Sequence, residues 1–292
     1  TVGVTGASTF TGDSTFAGTV LIKESPFSVK DPDRYYLEEY FTLQPALKAA
    51  IDDTDAEATY VPANKYFEAI GTGATAALVD WGANCAGLLL TTGGSDNDGT
   101  FIIPHTDVKE DDQVQSAWGG VLWGTENQVN YECAIRTGSS IADASIMAGL
   151  KLTTDDADES RYSADANQVF FWYDTTDTEG ALTTNANLHC IVSAAGTDYI
   201  SDLGIAVAAN TNYRLGIRID SDRKASAWVN GVQYSLTSAT TAGGVATGTG
   251  TTLSSALADN IDLLPIVGIK TRAAGAKHMY LFYEKISRIF FE

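Results

Sequence analysis

The chain has 292 residues, with 18 basic and 37 acidic side chains and a formal net charge of −19. This charge argues against binding to a nucleic-acid backbone, which requires a basic face, and it disfavours anionic membrane surfaces. No apolar run approaches the roughly 18 residues that span a bilayer, so we expect no membrane insertion and no secretory signal.

The first 22 residues carry a glycine-rich repeat that allows two interpretations. Its leading glycines resemble the phosphate-binding turn of dinucleotide-binding enzymes, but no strand precedes them and poor helix formers follow. The unit Gly-x-Ser-Thr-Phe-x instead begins at Gly6 and again at Gly12, so apolar residues recur at intervals of six on one side of an extended strand. We predict that residues 1–22 form an arm or collar, with a flexible tail as the alternative. The predicted inter-subunit contacts are Val4, Phe10, Phe16 and Ile22.

Residues 23–64 are predicted to be a linker with a short amphipathic helix. Asp33 can cap a helix that carries Tyr36, Leu37, Tyr40 and Phe41 on one side, and Pro45 breaks it. We expect Tyr36, Leu37 and Phe41 to contact a neighbouring subunit. A lid on the chain's own domain is the alternative.

From Lys65 onward, short β runs alternate with turn residues. Asn230-Gly231, between ASAWV and VQYSL, is the strongest hairpin signal. Eleven or more strands without alternating helices predict an all-β, antiparallel sandwich over residues 65–292. The runs are KYFEAIG, AGLLLTTG, TFIIPH, GTENQVNYECAIRTG, SIMAGLKLT, QVFFWYDT, NLHCIVSAAG, NYRLGIRIDSD, RKASAWVNGVQYSLT, LLPIVGIKT and HMYLFYEKISRIFF.

The order of these segments, with WGTENQVNYECAIRTGSSI at their head, resembles the concanavalin-like jelly-roll domain common in bacteriophage virion proteins. The N-terminal repeat is similar to the collar or shaft repeats beside such domains. The resemblance implies a non-enzymatic virion protein on the capsid exterior, of the decoration or cement type, which stabilises the particle through inter-subunit contacts. It implies other virion proteins as partners, above all the major capsid protein, and a homotrimer. The alternative is a tail or head fibre module that binds a host-surface glycan, because the fold also carries lectins and glycanases.

The sequence contains neither the paired-acid strand of glycanases nor the nucleophile motif of serine hydrolases. The string TTDDADES, with Asp155, Asp156, Asp158 and Glu159, comes nearest to a paired-acid strand, but it lies in a polar connection. No Gly-x-Ser-x-Gly string occurs, and nothing brings His105, His189 and His278 together. We therefore predict no catalytic residues.

Calcium is the one cofactor that turn residues suggest. Asp96 and Asp98, and also Asp174 and Asp177, offer oxygen ligands on turns, although Asp is a default turn residue without any ion. We predict no other cofactor. Cys85, Cys133 and Cys190 lack metal-site spacing and are predicted to be free thiols packed in strands.

A glycan site would use exposed aromatic side chains with nearby amides. Trp118 and Trp123, with Asn127 close by, are the best candidates, and packing against the sandwich edge is the alternative. Trp172 and Trp228 lie in apolar runs and are predicted to be core residues.

Overall fold

The computed structural model describes residues 31–42, 46–48, 67–71, 75–78, 87–104, 123–151, 166–176, 186–239, 244–245 and 253–290. These residues form two β-sheets, with a short 3-10 helix at Thr125–Asn127 and no α-helix among them. The predicted contacts in the repeat (Val4, Phe10, Phe16 and Ile22) lie outside the described residues.

The strands are numbered in chain order. They are β1 Arg34–Glu39, β2 Ala46–Lys48, β3 Phe67–Ile70, β4 Thr75–Leu78, β5 Leu88–Thr91, β6 Gly99–Pro104, β7 Asn130–Thr137, β8 Ala144–Lys151, β9 Gln168–Asp174, β10 Asn187–Ala194, β11 Thr197–Ala206, β12 Asn212–Ile219, β13 Ala225–Val229, β14 Val232–Tyr234, β15 Gly244–Val245, β16 Leu264–Thr271 and β17 His278–Ile289.

The first sheet, called sheet A, has eight strands in the order β14-β13-β12-β7-β17-β5-β4, with β1 also paired to β17. The second, sheet B, has nine strands in the order β15-β11-β10-β9-β8-β16-β6-β3-β2. All pairs are antiparallel except β2 with β3 and β11 with β15. The predicted antiparallel jelly-roll sandwich is confirmed.

Side chains of each strand alternate between the two faces of its sheet. In β9, Val169, Phe171 and Tyr173 belong to the core cluster that contains residues of both sheets. Phe170 and Trp172 belong instead to a second buried cluster, built from sheet B alone. The outer face of sheet B, which points away from sheet A, is therefore apolar in its centre.

The helix predicted at Tyr36 to Phe41 is wrong. This segment is strand β1, which pairs with β17 in the register Arg34 to Ile289 and Leu37 to Ile286. Leu37 is 7% exposed and Phe41 1% exposed, and both pack in the core of their own chain. Strand β1 thus adds residues before 65 to the sandwich, and there is no helix to carry the predicted contact.

One predicted turn is present in the structure, and one strand was not predicted. Asn230 and Gly231 have φ values of 53° and 82° and join β13 to β14 in a tight hairpin, as the sequence predicted. Strand β11, which was not predicted, pairs with β10 along its length.

Cys133 and Cys190 are free and buried in β7 and β10, which confirms the prediction for these two thiols. Within the described part of the chain, no helix is long and apolar enough to cross a membrane.

Candidate functional site

The outer face of sheet B combines an apolar centre with buried polar side chains. The apolar cluster contains Phe101, Ile103, Met147, Phe170, Trp172, Ile191, Ile200 and Ile266. Five polar side chains of the neighbouring strands share this face, and we call them the polar strip: Gln168 on β9, His189 and Ser193 on β10, and Asp198 and Asp202 on β11. Buried polar side chains on an outer sheet face require specific partners, so their contacts are informative.

His189 and Asp202 lie opposite each other on β10 and β11, and Trp172 of β9 is the other cross-strand neighbour of His189. The His189 side chain is fully buried. Its Nδ1 lies 3.0 Å from the carbonyl oxygen of Asn187, and its Nε2 lies 3.8 Å from Asp202 Oδ2. The carbonyl can accept only a protonated Nδ1, so this contact leaves Nε2 as the nitrogen that exchanges a proton.

The Asp202 carboxylate accepts hydrogen bonds from Asn187 and Gly204. Asn187 Nδ2 donates to both of its oxygens, at 3.0 and 3.1 Å, and the Gly204 backbone N–H donates to Oδ1 at 2.7 Å. The pairing register between β10 and β11 shifts beside this point, and Gly204 has a φ of 65° and is exposed. An irregularity of this kind changes the direction in which the adjacent side chains point. Both members of the His189–Asp202 pair are buried.

Ser193 and Asp198 form a second polar pair at the opposite end of the strip. The Ser193 hydroxyl donates to Asp198 Oδ1 at 2.5 Å, and Gln168 Nε2 donates to Ser193 Oγ at 2.9 Å. Burial raises the pKa of Asp198, and the Ser193 hydrogen bond opposes that rise. Asp198 is half-buried beside the exposed turn at residues 195–197.

The two pairs are too far apart to act as one catalytic unit. His189 and Ser193 are four residues apart on one strand, as are Asp202 and Asp198, which separates each set by about 13 Å. A serine nucleophile must lie within hydrogen-bond reach of its base, so Ser193 and His189 do not form such a dyad. Paired-acid glycosidases hold their carboxyl groups no more than about 9.5 Å apart, so Asp198 and Asp202 do not form that pair either.

Buried polar contacts fix the side chains next to His189 on the outer face of sheet B. Trp172 Nε1 donates to Ser145 Oγ at 3.1 Å, which sets the orientation of the indole. Asp174, fully buried on the same strand, accepts a hydrogen bond from Arg272 Nε at 2.8 Å and also contacts Nη2 of that guanidinium. Asp174 forms an ion pair with Arg272 and therefore has a structural role.

The structure describes two of the three predicted glycan contacts, Trp123 and Asn127. Trp123 is fully buried in the core cluster, with its ring centroid 5.9 Å from that of Tyr35, so it cannot stack on a ligand. The Asn127 side chain accepts a hydrogen bond from Arg288 Nη1 at 2.8 Å. Trp118 lies outside the described residues. The prediction for Trp123 is wrong because its apolar surface completes the core beneath β1.

The predicted calcium ligands form an ordinary turn. Asp98 Oδ2 accepts the backbone N–H of Ser95 at 2.8 Å, and Asn97 Oδ1 accepts Arg272 Nη1 at 2.8 Å. No group of three His, Cys, Asp or Glu side chains in the described ranges, with Asp96 and Asp98 among them, could hold a metal ion. Asp96 and Asp98 therefore share no metal-binding arrangement with other acidic groups of that part of the chain.

The other tryptophans and histidines fall in different environments. Trp172 and Trp228 are buried as predicted, but both lie on outer sheet faces rather than between the sheets. His278 is half-buried at the start of β17, whereas His105 and residues 153–160, which include TTDDADES, lie outside the described residues. The sequence did not bring His189 and Asp202 together because β11, which supplies Asp202, was not predicted. The alternation Asp198-x-Ile200-x-Asp202 was the signal that could have revealed it.

Neither a protein-family model nor a curated protein matches this chain. Among solved structures, a protein of unknown function from Shewanella oneidensis MR-1 is similar, at 12% identity and a TM-score of 0.46, covering 90% of this chain and 91% of that one. A Bacteroides ovatus mixed-linkage glucan GH16 protein has 8% identity and a TM-score of 0.47, covering 86% and 99%. A family 7 alginate lyase has 13% identity and a TM-score of 0.41, covering 70% and 79%. Likeness at this level concerns the fold alone.

These matches correct the function expected from the sequence. The prediction of a non-enzymatic virion structural protein is wrong, because the folds similar to this chain include glucanases, alginate lyases and a bacteriophage carbohydrate esterase. A carbohydrate recognition domain is also similar. The same finding overturns the expectation that the chain is not an enzyme. The jelly-roll part of the resemblance stands, and the capsid decoration part does not.

Proposed function

We propose that the protein is a carbohydrate-active enzyme that acts on a polysaccharide at the polar strip, with His189 as the group that transfers a proton. The observation that supports this most directly is the geometry of His189, whose ring lies between the Asn187 carbonyl and the Asp202 carboxylate. The Asn187 carbonyl fixes the ring through Nδ1, and a carboxylate beside Nε2 favours uptake of a proton there by a general base.

The surroundings of the pair favour proton transfer over hydrolysis by two acids. Asp202 stabilises the imidazolium that forms when His189 Nε2 takes a proton, and burial strengthens this interaction by excluding water. The other carboxylate of the polar strip, Asp198, lies about 13 Å from Asp202, so a reaction driven by one base, such as abstraction of a sugar ring proton, fits better.

The experiment incubates the full chain with a polyuronate and with a neutral β-glucan. Two products are measured: new reducing ends, which hydrolysis and elimination both release, and unsaturated sugar ends, which only elimination makes. We expect His189→Gln to lower the rate at least roughly 100-fold and Asp202→Asn to lower it less. The matched control is His278→Gln, which removes a half-buried histidine far from the strip and should leave the rate unchanged.

If the wild-type chain releases neither product from any acidic or neutral polysaccharide, the proposed enzyme activity is wrong. An equal loss of rate in His278→Gln and His189→Gln would also contradict it, because the effect would then not depend on the polar strip.

A second candidate function is glycan recognition without turnover. It is favoured by the separation of Asp198 and Asp202, which excludes a paired-acid mechanism between them. In this case the wild-type chain would be retarded in a gel that contains the polysaccharide while releasing no product, and Asp198→Asn would weaken the retardation.

A further inference from the structure

The outer face of sheet A carries a group of cations that the polar strip does not use. Strand alternation places Arg136 of β7, Arg214 and Arg218 of β12, and Lys285 of β17 on this face, since their neighbours in sequence belong to the core. Tyr283 and Tyr40 lie among them. We call these six residues the cationic face.

The charge of this face is opposite to that of the chain. With Arg34 of β1, five cations point outward from sheet A, against the two carboxylates Glu38 and Glu132. The chain as a whole has a net charge of −19. A local field of opposite sign on an acidic protein is a recognition feature, because it attracts anions that the rest of the surface repels.

Two cations of this face, Arg218 and Arg214, are accessible. Arg218 is exposed and makes no ion pair with another described residue. The Arg214 side chain is 42% exposed, and its Nε lies 3.6 Å from Glu132 Oε2, a distance longer than a hydrogen bond. Glu132 also accepts the Tyr283 hydroxyl at 2.7 Å. A guanidinium has five N–H donors, so this single long contact with Glu132 leaves most donors of Arg214 available.

Tyrosine rings lie next to the cations. The Lys285 ammonium is 4.5 Å from the Tyr283 ring centroid and 5.3 Å from that of Tyr40, and the two rings are 5.9 Å apart. Tyr40 is 46% exposed. Flat aromatic surfaces beside charged donors suit the C–H faces and polar edges of sugar rings.

Two polar atoms on the same face have no hydrogen-bond partner in the described part of the chain. They are Asn130 Oδ1 and Arg136 Nε, both on β7. A buried donor or acceptor that stays unsatisfied costs free energy, so such groups often mark a binding position.

The spacing of the cations fits an extended polyanion. Arg214 lies opposite Ala134, which is two residues from Arg136, so Arg214 and Arg136 are diagonal neighbours at about 7–8 Å. Arg218 lies four residues beyond Arg214 on the same strand, at about 13 Å. The positive charges therefore form a row along the strand direction rather than one compact pocket.

We propose that the cationic face is a second binding site, separate from the polar strip, for an acidic polysaccharide chain. The anionic class rests on the charges and geometry of sheet A. The choice of a polysaccharide over another polyanion rests on the proposed function. Arg136, Arg214 and Arg218 bind the carboxylate groups, and Tyr40 and Tyr283 pack against sugar rings.

Binding of polygalacturonate to the full chain tests this site, with neutral dextran and duplex DNA as comparisons, at roughly 0.02 M and 0.3 M salt. We expect binding of polygalacturonate but not dextran, weakening as salt rises. The double variant Arg218→Ala with Lys285→Ala should lose at least roughly tenfold in affinity, and Arg218→Lys should keep most of it. The control is Lys277→Ala, which removes a half-buried cation that does not belong to the cationic face and should bind like wild type.

Three results would overturn the proposal: an equal loss of affinity in the Lys277→Ala control, equal binding of dextran, or tighter binding of DNA. A mass by light scattering that falls from dimer to monomer in the Arg218→Ala, Lys285→Ala variant would instead make the face an interface between copies. His189→Gln should still bind polygalacturonate at this face. A failure of the proposed enzyme activity is thus distinguishable from a failure of this site.

Discussion

Glu284 is an acidic side chain buried in the core of the sandwich. It is fully buried on β17 opposite Cys133 of β7, and it faces Tyr131, with Glu39 of β1 on its other side. Loss of hydration raises the pKa of Glu284 to about 8, the Tyr131 hydroxyl opposes the rise, and the Glu39 carboxylate adds to it. The folded protein therefore holds a neutral carboxyl group at neutral pH.

The Glu284→Gln variant tests this assignment. The folded chain keeps the Glu284 proton between pH 4.5 and about 8, while the unfolded chain releases it. The folded state thus binds more protons, and the contribution of Glu284 to stability falls as pH rises through this window. We expect Gln to remove the fall, worth roughly 2–4 kcal/mol at pH 8 relative to pH 5. Urea unfolding at several pH values measures it, and identical pH slopes in both proteins would contradict it.

The buried cysteines give a second prediction at this scale. Burial raises the pKa of Cys190 to about 12 and that of Cys133 further still. Only the thiolate reacts, so we expect neither residue to be alkylated by iodoacetamide at about pH 8 in the folded protein. Both should react in denaturant. Peptide mass spectrometry reads out each site, and rapid labelling of Cys133 in the folded chain would show that β7 opens.

Strands β8 and β9 approach each other closely at Gly149. A Cβ atom there would collide with the carbonyl oxygen of Val169 and the backbone of Phe170 on β9. Backbone atoms cannot move aside as a flexible side chain can, so the two strands would have to separate. The close approach of β8 and β9 at Gly149 helps to set the shape of the outer face of sheet B.

We therefore expect Gly149→Ala to lower the free energy of unfolding by roughly 1–3 kcal/mol. The matched control is Gly94→Ala, since the space around Gly94 is open and its φ is not in the left-handed region. Chemical denaturation of both variants measures the difference. An unchanged midpoint for Gly149→Ala would show that β8 and β9 are not packed as described.

Strand β1 shows how an element's partner decides its conformation. The spacing of an amphipathic helix is present at Tyr36, Leu37, Tyr40 and Phe41. A β-strand does not require this spacing. In the fold, β17 is 12 residues long and β5 pairs only with its first part, so its later part has an open edge. Arg34–Glu39 fills that edge, and its backbone hydrogen bonds outweigh the local preference.

A chain that begins at residue 43, without β1, tests this role. It loses the burial of Leu37 and Phe41, each worth roughly 1.5–3 kcal/mol, and leaves the edge of β17 open. We expect a lower melting temperature and aggregation. A chain that begins at residue 31 keeps β1 and serves as the control, and equal melting temperatures of the two would contradict the role.

At the scale of the whole molecule, net charge and local charge differ. The chain is strongly acidic, yet sheet A presents Arg136, Arg214 and Arg218 on one face. An overall charge predicts solubility and average repulsion, not the sign of a given surface. The composition therefore does not determine the charge of the outer face of sheet A.

The predicted arm at residues 1–22 stays a prediction about assembly. If its apolar residues at intervals of six contact other subunits, deleting residues 1–22 should convert an oligomer into monomers while the sandwich keeps its melting temperature. Light scattering with calorimetry measures both. An unchanged mass after deletion would show that the arm does not hold subunits together.

The sequence by itself determined the β-sandwich, the Asn230-Gly231 hairpin and the free thiols Cys133 and Cys190, because short apolar runs, turn residues and cysteine spacing are local signals. Only the tertiary structure decided that β1 is a strand, that Trp123 is core and that His189 meets Asp202. Each of these depends on which strands become neighbours. Strand pairing is set by contacts between distant residues that maximise burial and hydrogen bonding together, and no short stretch of sequence contains that information.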